Sequence, residues 1–210
     1  MYKALILDLD NTIFKSKTIS DDVFAEIKTL MHEYRGNISN EQLDEIWDQL
    51  SRTPFQKIAD NYPFKEGFKE KGIEILKETV YNGTATPYKD YELIQSIPLE
   101  KYLVTFGFVK LQNSKVDALG IRGDFKEVHI VDPELRPITK KDIFQQIMDE
   151  HGYSKEDLLV IGDDPESEIK AAKELKIKTY LYDPESRFKT GTADYHEQNY
   201  KLLLKLVEKK

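Results

Sequence analysis

No cysteine occurs in the 210 residues of this chain. That excludes a disulfide scaffold, thiolate zinc sites, iron–sulfur clusters and a cysteine nucleophile, and it fits a reducing compartment. Histidine is scarce too, at four residues, which disfavours the softer metals. No apolar run approaches the roughly 20 residues of a membrane span, and MYKALILDLD meets acidic residues too early for a secretory leader. A cytoplasmic protein without a membrane partner is therefore expected. Positive charge is in deficit: 31 Lys+Arg against 38 Asp+Glu leave a formal net charge of −7. With a sequence pI near 5.3, this argues against a protein built to grip nucleic-acid phosphates. Internal repeats, low-complexity tracts and long flexible linkers are also missing. What is present, 40% hydrophobic and 33% charged residues, suits a globular chain long enough to bury a core.

The stretch from Tyr2 to Leu7 is nearly all large or β-branched apolar residues, as in a central strand buried on both faces. From about Ser20 to Val80 the spacing turns helical. Val23, Ile27, Leu30 and Met31 form one stripe; Leu43, Ile46, Trp47 and Leu50 a second; Phe68, Ile75 and Leu76 a third. After the turn-rich NGTATP, short apolar runs alternate with helical stretches: KYLVTF, VKLQNSKVDAL, EVHIV, KKDIFQQIMDEH, DLLVIG, EIKAAKEL and KTYLY. Such alternation predicts an α/β fold, a doubly wound parallel sheet with helices on both faces. Residues 1–15 and 88–210 are expected to form this core and residues 16–87 an inserted helical domain. Ser154 with Asp157 reads as the N-terminal cap of a one-turn helix. The final YKLLLKLVEKK, with Leu202, Leu203, Leu206 and Val207 on one face, reads as a docked terminal helix rather than a membrane anchor.

Two acidic constellations stand at the ends of predicted strands. In LILDLDNTIF an apolar strand runs into Asp8, Asp10, Asn11 and Thr12. If the strand continues, residues two apart share a side, so Asp8 and Asp10 converge. Two such anions about 4 Å apart repel by roughly 4 kcal/mol at an effective dielectric near 20, and a cation, a shared proton or solvent must offset that. An ordinary strand end entering a turn also explains Asp and Asn here. In LLVIGDDPESEIKAAKEL a buried-looking strand and a glycine precede Asp163, Asp164, Glu166 and Glu168. Asp164 can cap the helix, Pro165 suits its first position and Glu166 complements its dipole. Capping leaves Asp163 unexplained, at the carboxyl edge where open α/β sheets bind ligands. If both acidic strand ends lie side by side, they form a hard-oxygen site suited to Mg²⁺. Thr105 closes the run KYLVT, and Lys140, beside Lys141, opens a helix near whose N-terminus a lysine is mildly unfavourable unless something anionic is close.

These motifs resemble, in their order, those of the haloacid dehalogenase superfamily: Asp8, Asp10 and Thr12 as Asp-x-Asp-x-Thr, then a strand-terminal Thr105, then Lys140, then Gly162 and Asp163 with Asp164 or Glu168. The resemblance covers the whole predicted core, and the insert occupies the position of the helical cap of the capped phosphatase branch. It implies a Rossmann-like core, Mg²⁺ and hydrolysis of a small soluble phosphomonoester. Asp8 would be the nucleophile that carries an aspartyl-phosphate, and Asp10 the acid and then the base. Asn11, Thr105, Phe106 and Lys140 would bind phosphate. The Asp8 carboxylate, the Asp10 carbonyl, Asp163 and either Asp164 or Glu168 would hold the metal or orient its water. Phe106 stands where many relatives carry Asn, so contact there falls to the backbone; Lys141 is the alternative to Lys140. A dehalogenase generally lacks the second aspartate, because halide leaves without a proton. A phosphomutase of the same superfamily shares all four motifs. A non-catalytic receiver-like module uses similar groups, but places its accepting Asp mid-chain. The chain is expected to act as a monomer or homodimer.

Overall fold

The computed structural model describes residues 1–19, 21–134 and 138–208; Ser20, at the start of the first helical stretch, and the last two lysines lie outside them. Among the described residues, six strands form one parallel sheet in the order β3-β2-β1-β4-β5-β6. They are β1 (Ala4–Leu7), β2 (Glu100–Phe106), β3 (Glu127–Val131), β4 (Leu158–Gly162), β5 (Lys178–Tyr182) and β6 (Tyr195–Glu197). The chain moves outward from β1 through β2 to β3, then returns to β4 on the other side of β1. That reversal opens a crevice at the carboxyl ends of β1 and β4, the usual ligand position in such sheets.

Alternate residues of the strands feed two separate cores. Leu5 and Leu7 of β1, Leu103 of β2 and Leu159 and Ile161 of β4 pack with α5 (Tyr91–Gln95), α6 (Val109–Leu119) and α9 (Lys201–Glu208). Ala4, Ile6, Tyr102, Val104, Leu158 and Val160 face α7 (Lys140–His151) and α8 (Glu168–Glu174). Burying each such Leu, Ile or Val is worth about 1.5–3 kcal/mol, and a one-residue slip would exchange the two faces, so the register is firmly specified. In that register Leu7 lies opposite both Leu103 and Ile161, which brings Asp8, Thr105 and Asp163 to one edge.

Between β1 and β2, α1 (Ala25–Tyr34), α2 (Asn40–Gln49), α3 (Phe55–Asn61) and α4 (Phe68–Glu78) bury a third cluster around Ile27, Leu30, Leu43, Ile46, Phe55 and Phe68. Phe108 and Leu111 at the start of α6 complete it, so the inserted helices rest on the sheet layer through α6. Gly72 of α4 lets Phe55 approach: a Cβ there would stand 2.0 Å from the ring. No helix of the described residues is long and apolar enough to cross a membrane.

Three expectations change. The helix after β4 is the one that differs in its start. The helix after β4 begins at Glu168 rather than beside Pro165, because Asp164 Oδ1 accepts the Glu166 N–H at 2.8 Å and shapes a turn over residues 164–167. The Ser154–Asp157 capping box is present around a one-turn 3₁₀ helix, as the sequence implies.

Candidate active site

The first constellation does not continue as a strand. After Leu7 the chain winds into a tight loop in which the N–H groups of Thr12, Ile13 and Phe14 all point to the Leu9 carbonyl, at 3.3, 2.9 and 3.1 Å. Asn11 turns the corner in the left-handed region, with φ of 59°, a conformation that Asn tolerates better than most residues. Its N–H is engaged by Phe14, its Oδ1 by the Ser16 N–H and its Nδ2 by the Ser51 carbonyl. Asn11 thus shapes the loop, which differs from the expected phosphate contact.

This loop sends its two carboxylates to different partners. Asp8 Oδ1 accepts from Lys140 Nζ at 2.6 Å, and the same ammonium reaches Glu168 Oε2 at 2.8 Å. Asp10 is gripped by Lys115 Nζ at 2.9 Å on both oxygens, by Gln112 Nε2 at 2.9 Å and by Ser16 Oγ at 3.0 Å. The repulsion expected between the two aspartates is therefore offset by a separate lysine for each. Lys141 points elsewhere, to an exposed pair with Glu174, so Lys140 is the lysine at the site.

Oxygens of Asp8, Asp163 and Glu168 lie within 4.8 Å of one another, and all three residues are buried. Asp163 Oδ2 is held by Arg52 at 2.8 Å and Arg187 at 2.9 Å. Asp164, with its carboxylate on Glu166, stands outside the trio; of the two alternatives, Glu168 is the one brought in. Glu168 folds back over Gly162, where a Cβ would meet its Oε1 at 2.1 Å, and its Oε1 accepts the Asp164 N–H at 2.8 Å. Thr105 is buried at the end of β2, its Oγ1 accepting from Gln112 at 3.0 Å, while Phe106 projects a partly exposed ring into the same cleft. The cleft measures about 650 Å³ and is lined from the insert by Trp47, Arg52 and Phe55.

Electrostatics divides the site in two. Burial pushes Asp8 well above the ordinary carboxylate range; Lys140 pulls it down, while Glu168 and Asp163 add to the rise. Asp163 is pushed up to about 7 by burial and then by Glu168, against Arg187 and Arg52. Three buried carboxylates, two of them resisting ionisation despite neighbouring cations, form a hard-oxygen donor set that fits a divalent ion. Burial also raises Asp10, but Lys115 and the hydrogen bonds from Gln112, Lys115 and Ser16 outweigh it and hold Asp10 below its usual value.

Sequence reading missed Lys115, Gln112, Ser16, Arg52 and Arg187. For two of them a signal exists: Gln112 and Lys115 are polar residues on the apolar stripe of α6, among Leu111, Val116 and Leu119. The arginines carry none, since Arg52 meets Asp163 only through the fold.

A family model described as haloacid dehalogenase-like hydrolase matches residues 2–176. No match is found among curated proteins. Three solved structures are similar over nearly the full length. A HAD phosphatase from Thermococcus onnurineus superposes with a TM-score of 0.65 at 17% identity, covering 98% of each chain. YfnB of Bacillus subtilis, described as a HAD-hydrolase bound to magnesium, gives 0.62 at 18% identity, covering 99% of each. A 2-haloacid dehalogenase from Pseudomonas syringae pv. Tomato DC3000 gives 0.62 at 16% identity, covering 99% of this chain and 98% of that one. At these identities the likeness is one of fold.

Proposed function

This chain belongs to the haloacid dehalogenase-like hydrolases, and we propose that within that family it is a Mg²⁺-dependent phosphatase of small phosphomonoesters. The observation that carries the reading is that Asp8 and Asp10 line one cleft but are held by different lysines, Asp8 inside the three-carboxylate group and Asp10 outside it. Displacing a halide needs no proton donor, whereas expelling an alkoxide does. A second, separately held carboxylate therefore favours ester chemistry.

In this reading an Asp8 oxygen bonds to phosphorus as the ester P–O bond breaks, giving an aspartyl-phosphate. Asp10 protonates the departing oxygen and later takes a proton from the water that cleaves the intermediate. Its lowered pKa makes resting Asp10 an anion, and the approach of a phosphate dianion raises its proton affinity, because added negative charge opposes ionisation. Lys140 and the Thr105 hydroxyl hold the transferring oxygens, as phosphoryl transfer depends mainly on positioning and charge stabilisation. Asp8, Asp163 and Glu168 would hold the divalent ion, which when bound neutralises phosphoryl charge. Residues 16–87 act as a cap over a core of residues 1–15 and 88–210; Arg52 supports this by reaching from the insert to Asp163.

The test is phosphate release from p-nitrophenyl phosphate by the wild type and Asp8→Asn, each with Mg²⁺ and with chelator. Activity is expected only for the wild type with Mg²⁺. Equal rates in all four reactions, or halide release from a 2-haloacid without phosphatase activity, overturns the reading.

A further inference from the structure

We propose that Lys115 and Gln112 are positioning residues whose effect on turnover runs through Asp10; the inference rests on the phosphatase reading above. Both lie on the buried face of α6, Lys115 5% and Gln112 2% exposed. A lysine there serves no packing purpose that Leu would not serve better, and its burial is tolerable only with a fixed partner. That partner is Asp10, whose two oxygens the ammonium meets at the same 2.9 Å, fixing the plane of the carboxylate.

Gln112 adds the second constraint. Its Nε2 stands 2.9 Å from Asp10 Oδ2, 3.0 Å from Thr105 Oγ1 and 2.7 Å from the Phe106 carbonyl. Asp10, as an anion, and the Phe106 carbonyl can only accept, so the amide nitrogen must face them, and turning the amide over would set oxygen against oxygen. The cost of this orientation is visible: Gln112 Oε1 is buried without a hydrogen-bond partner. Buried polar atoms are rarely left so, which marks the grip of Nε2 as the feature that the geometry serves. Gly107 provides the room, since a Cβ there would stand 2.9 Å from Nε2. Because Thr105 Oγ1 accepts from Gln112, its own proton is free to donate into the cleft. One amide therefore sets the proton-transfer carboxylate and the phosphate-facing hydroxyl relative to each other.

A merely structural pair would neutralise a buried charge and nothing more, and a leaving-group comparison separates the two roles. Phenyl phosphate expels a weakly acidic phenol and depends on proton donation; p-nitrophenyl phosphate expels a strongly acidic one and depends on it little. The quantity to measure is kcat/KM with Mg²⁺, which covers the steps through leaving-group departure, for wild type, Lys115→Met, Lys115→Arg, Gln112→Leu, Asp10→Asn and the Lys115→Met/Asp10→Asn double variant. Lys115→Met is expected to lose about tenfold more on phenyl phosphate than on p-nitrophenyl phosphate, a fraction of what general acid catalysis supplies. Lys115→Arg should recover most of that loss, and the double variant should be no slower than Asp10→Asn alone. Gln112→Leu leaves every charge in place and should show the same substrate bias, so the comparison stands even where Lys115→Met fails to fold. Equal losses on both substrates, or a double variant slowed beyond Asp10→Asn by the same factor that Lys115→Met costs the wild type, overturns the inference and leaves the phosphatase reading standing. A wild type that releases phosphate from neither substrate overturns both.

Discussion

The Lys140 ammonium lies 2.6 Å from Asp8 Oδ1, with both side chains less than a tenth exposed. Burial alone lowers the pKa of such a lysine, but Asp8 and Glu168 reverse the effect, so Lys140 carries its charge throughout the working range. The helix that bears it starts at a Thr139–Asp142 capping box, which fixes where its first side chain projects.

Removing that cation leaves buried carboxylates uncompensated. Lys140→Met should cost the metal-free protein about 3–5 kcal/mol, the usual penalty for breaking a buried pair, and slow turnover at least about 100-fold. Lys141→Met, which breaks only an exposed pair, should stay within about 0.5 kcal/mol of wild type with turnover unchanged. Urea unfolding and phosphate release check both. A Lys140→Met cost under about 1 kcal/mol would mean that the carboxylates need no internal cation.

Gly162→Ala tests the seat of Glu168. The added Cβ would stand 2.1 Å from Oε1 and 2.2 Å from Cγ, so the side chain must move off β4 and away from Asp8 and Asp163. We expect the Mg²⁺ concentration for half-maximal activity to rise about tenfold, the lower end of what outer contacts contribute to metal sites. An unchanged Mg²⁺ requirement would place Glu168 outside the metal's surroundings.

Asp183 controls the site from behind. No part of its side chain is exposed, and it accepts from the Arg187 and Phe188 N–H groups at 2.9 and 3.0 Å and from His196 at 3.0 Å, anchoring the loop that carries Arg187 to Asp163. Burial raises its pKa, but those hydrogen bonds and the Arg187 charge outweigh it, leaving the group below its ordinary value. A depressed carboxylate contributes stability that is present above its unfolded pKa near 3.9 and is lost as the pH falls through the folded value. Asp183→Asn should therefore be less stable than wild type by about 1.5–3 kcal/mol at pH 7, with the gap narrowing below about pH 3. Denaturant unfolding at both pH values measures this; a gap independent of pH would mean that the charge is irrelevant and only shape matters.

Much of the fold was legible because its signals are local. The apolar runs KYLVTF, EVHIV, DLLVIG and KTYLY lie over β2 to β5 to within a residue or so, since strands buried on both faces leave continuous apolar sequence. Strand β6 was not legible, being three half-exposed residues that pair with β5 only because the edge is there to receive them. At the site, Asp8, Thr105, Lys140 and Asp163 stand out because each sits where an element begins or ends. Asp164 misled: a carboxylate one residue past a candidate ligand looks the same in sequence whether it turns toward the cleft or onto the N–H two residues ahead, and here it does the latter.

By itself the sequence determined the parallel α/β layering, the helical character of the insert and the strand-end positions of the acidic groups, all of which follow from periodicities only a few residues long. Tertiary structure alone decided that Asp8 and Asp10 are held by different lysines, that Glu168 rather than Asp164 joins Asp163, and that Arg52 crosses from the insert to the sheet edge. The reason is physical. A side chain's partner is set by which donors the packed helices bring within about 3 Å of it, and for Asp10 and Asp163 those donors come from residues 105 and 111 positions away.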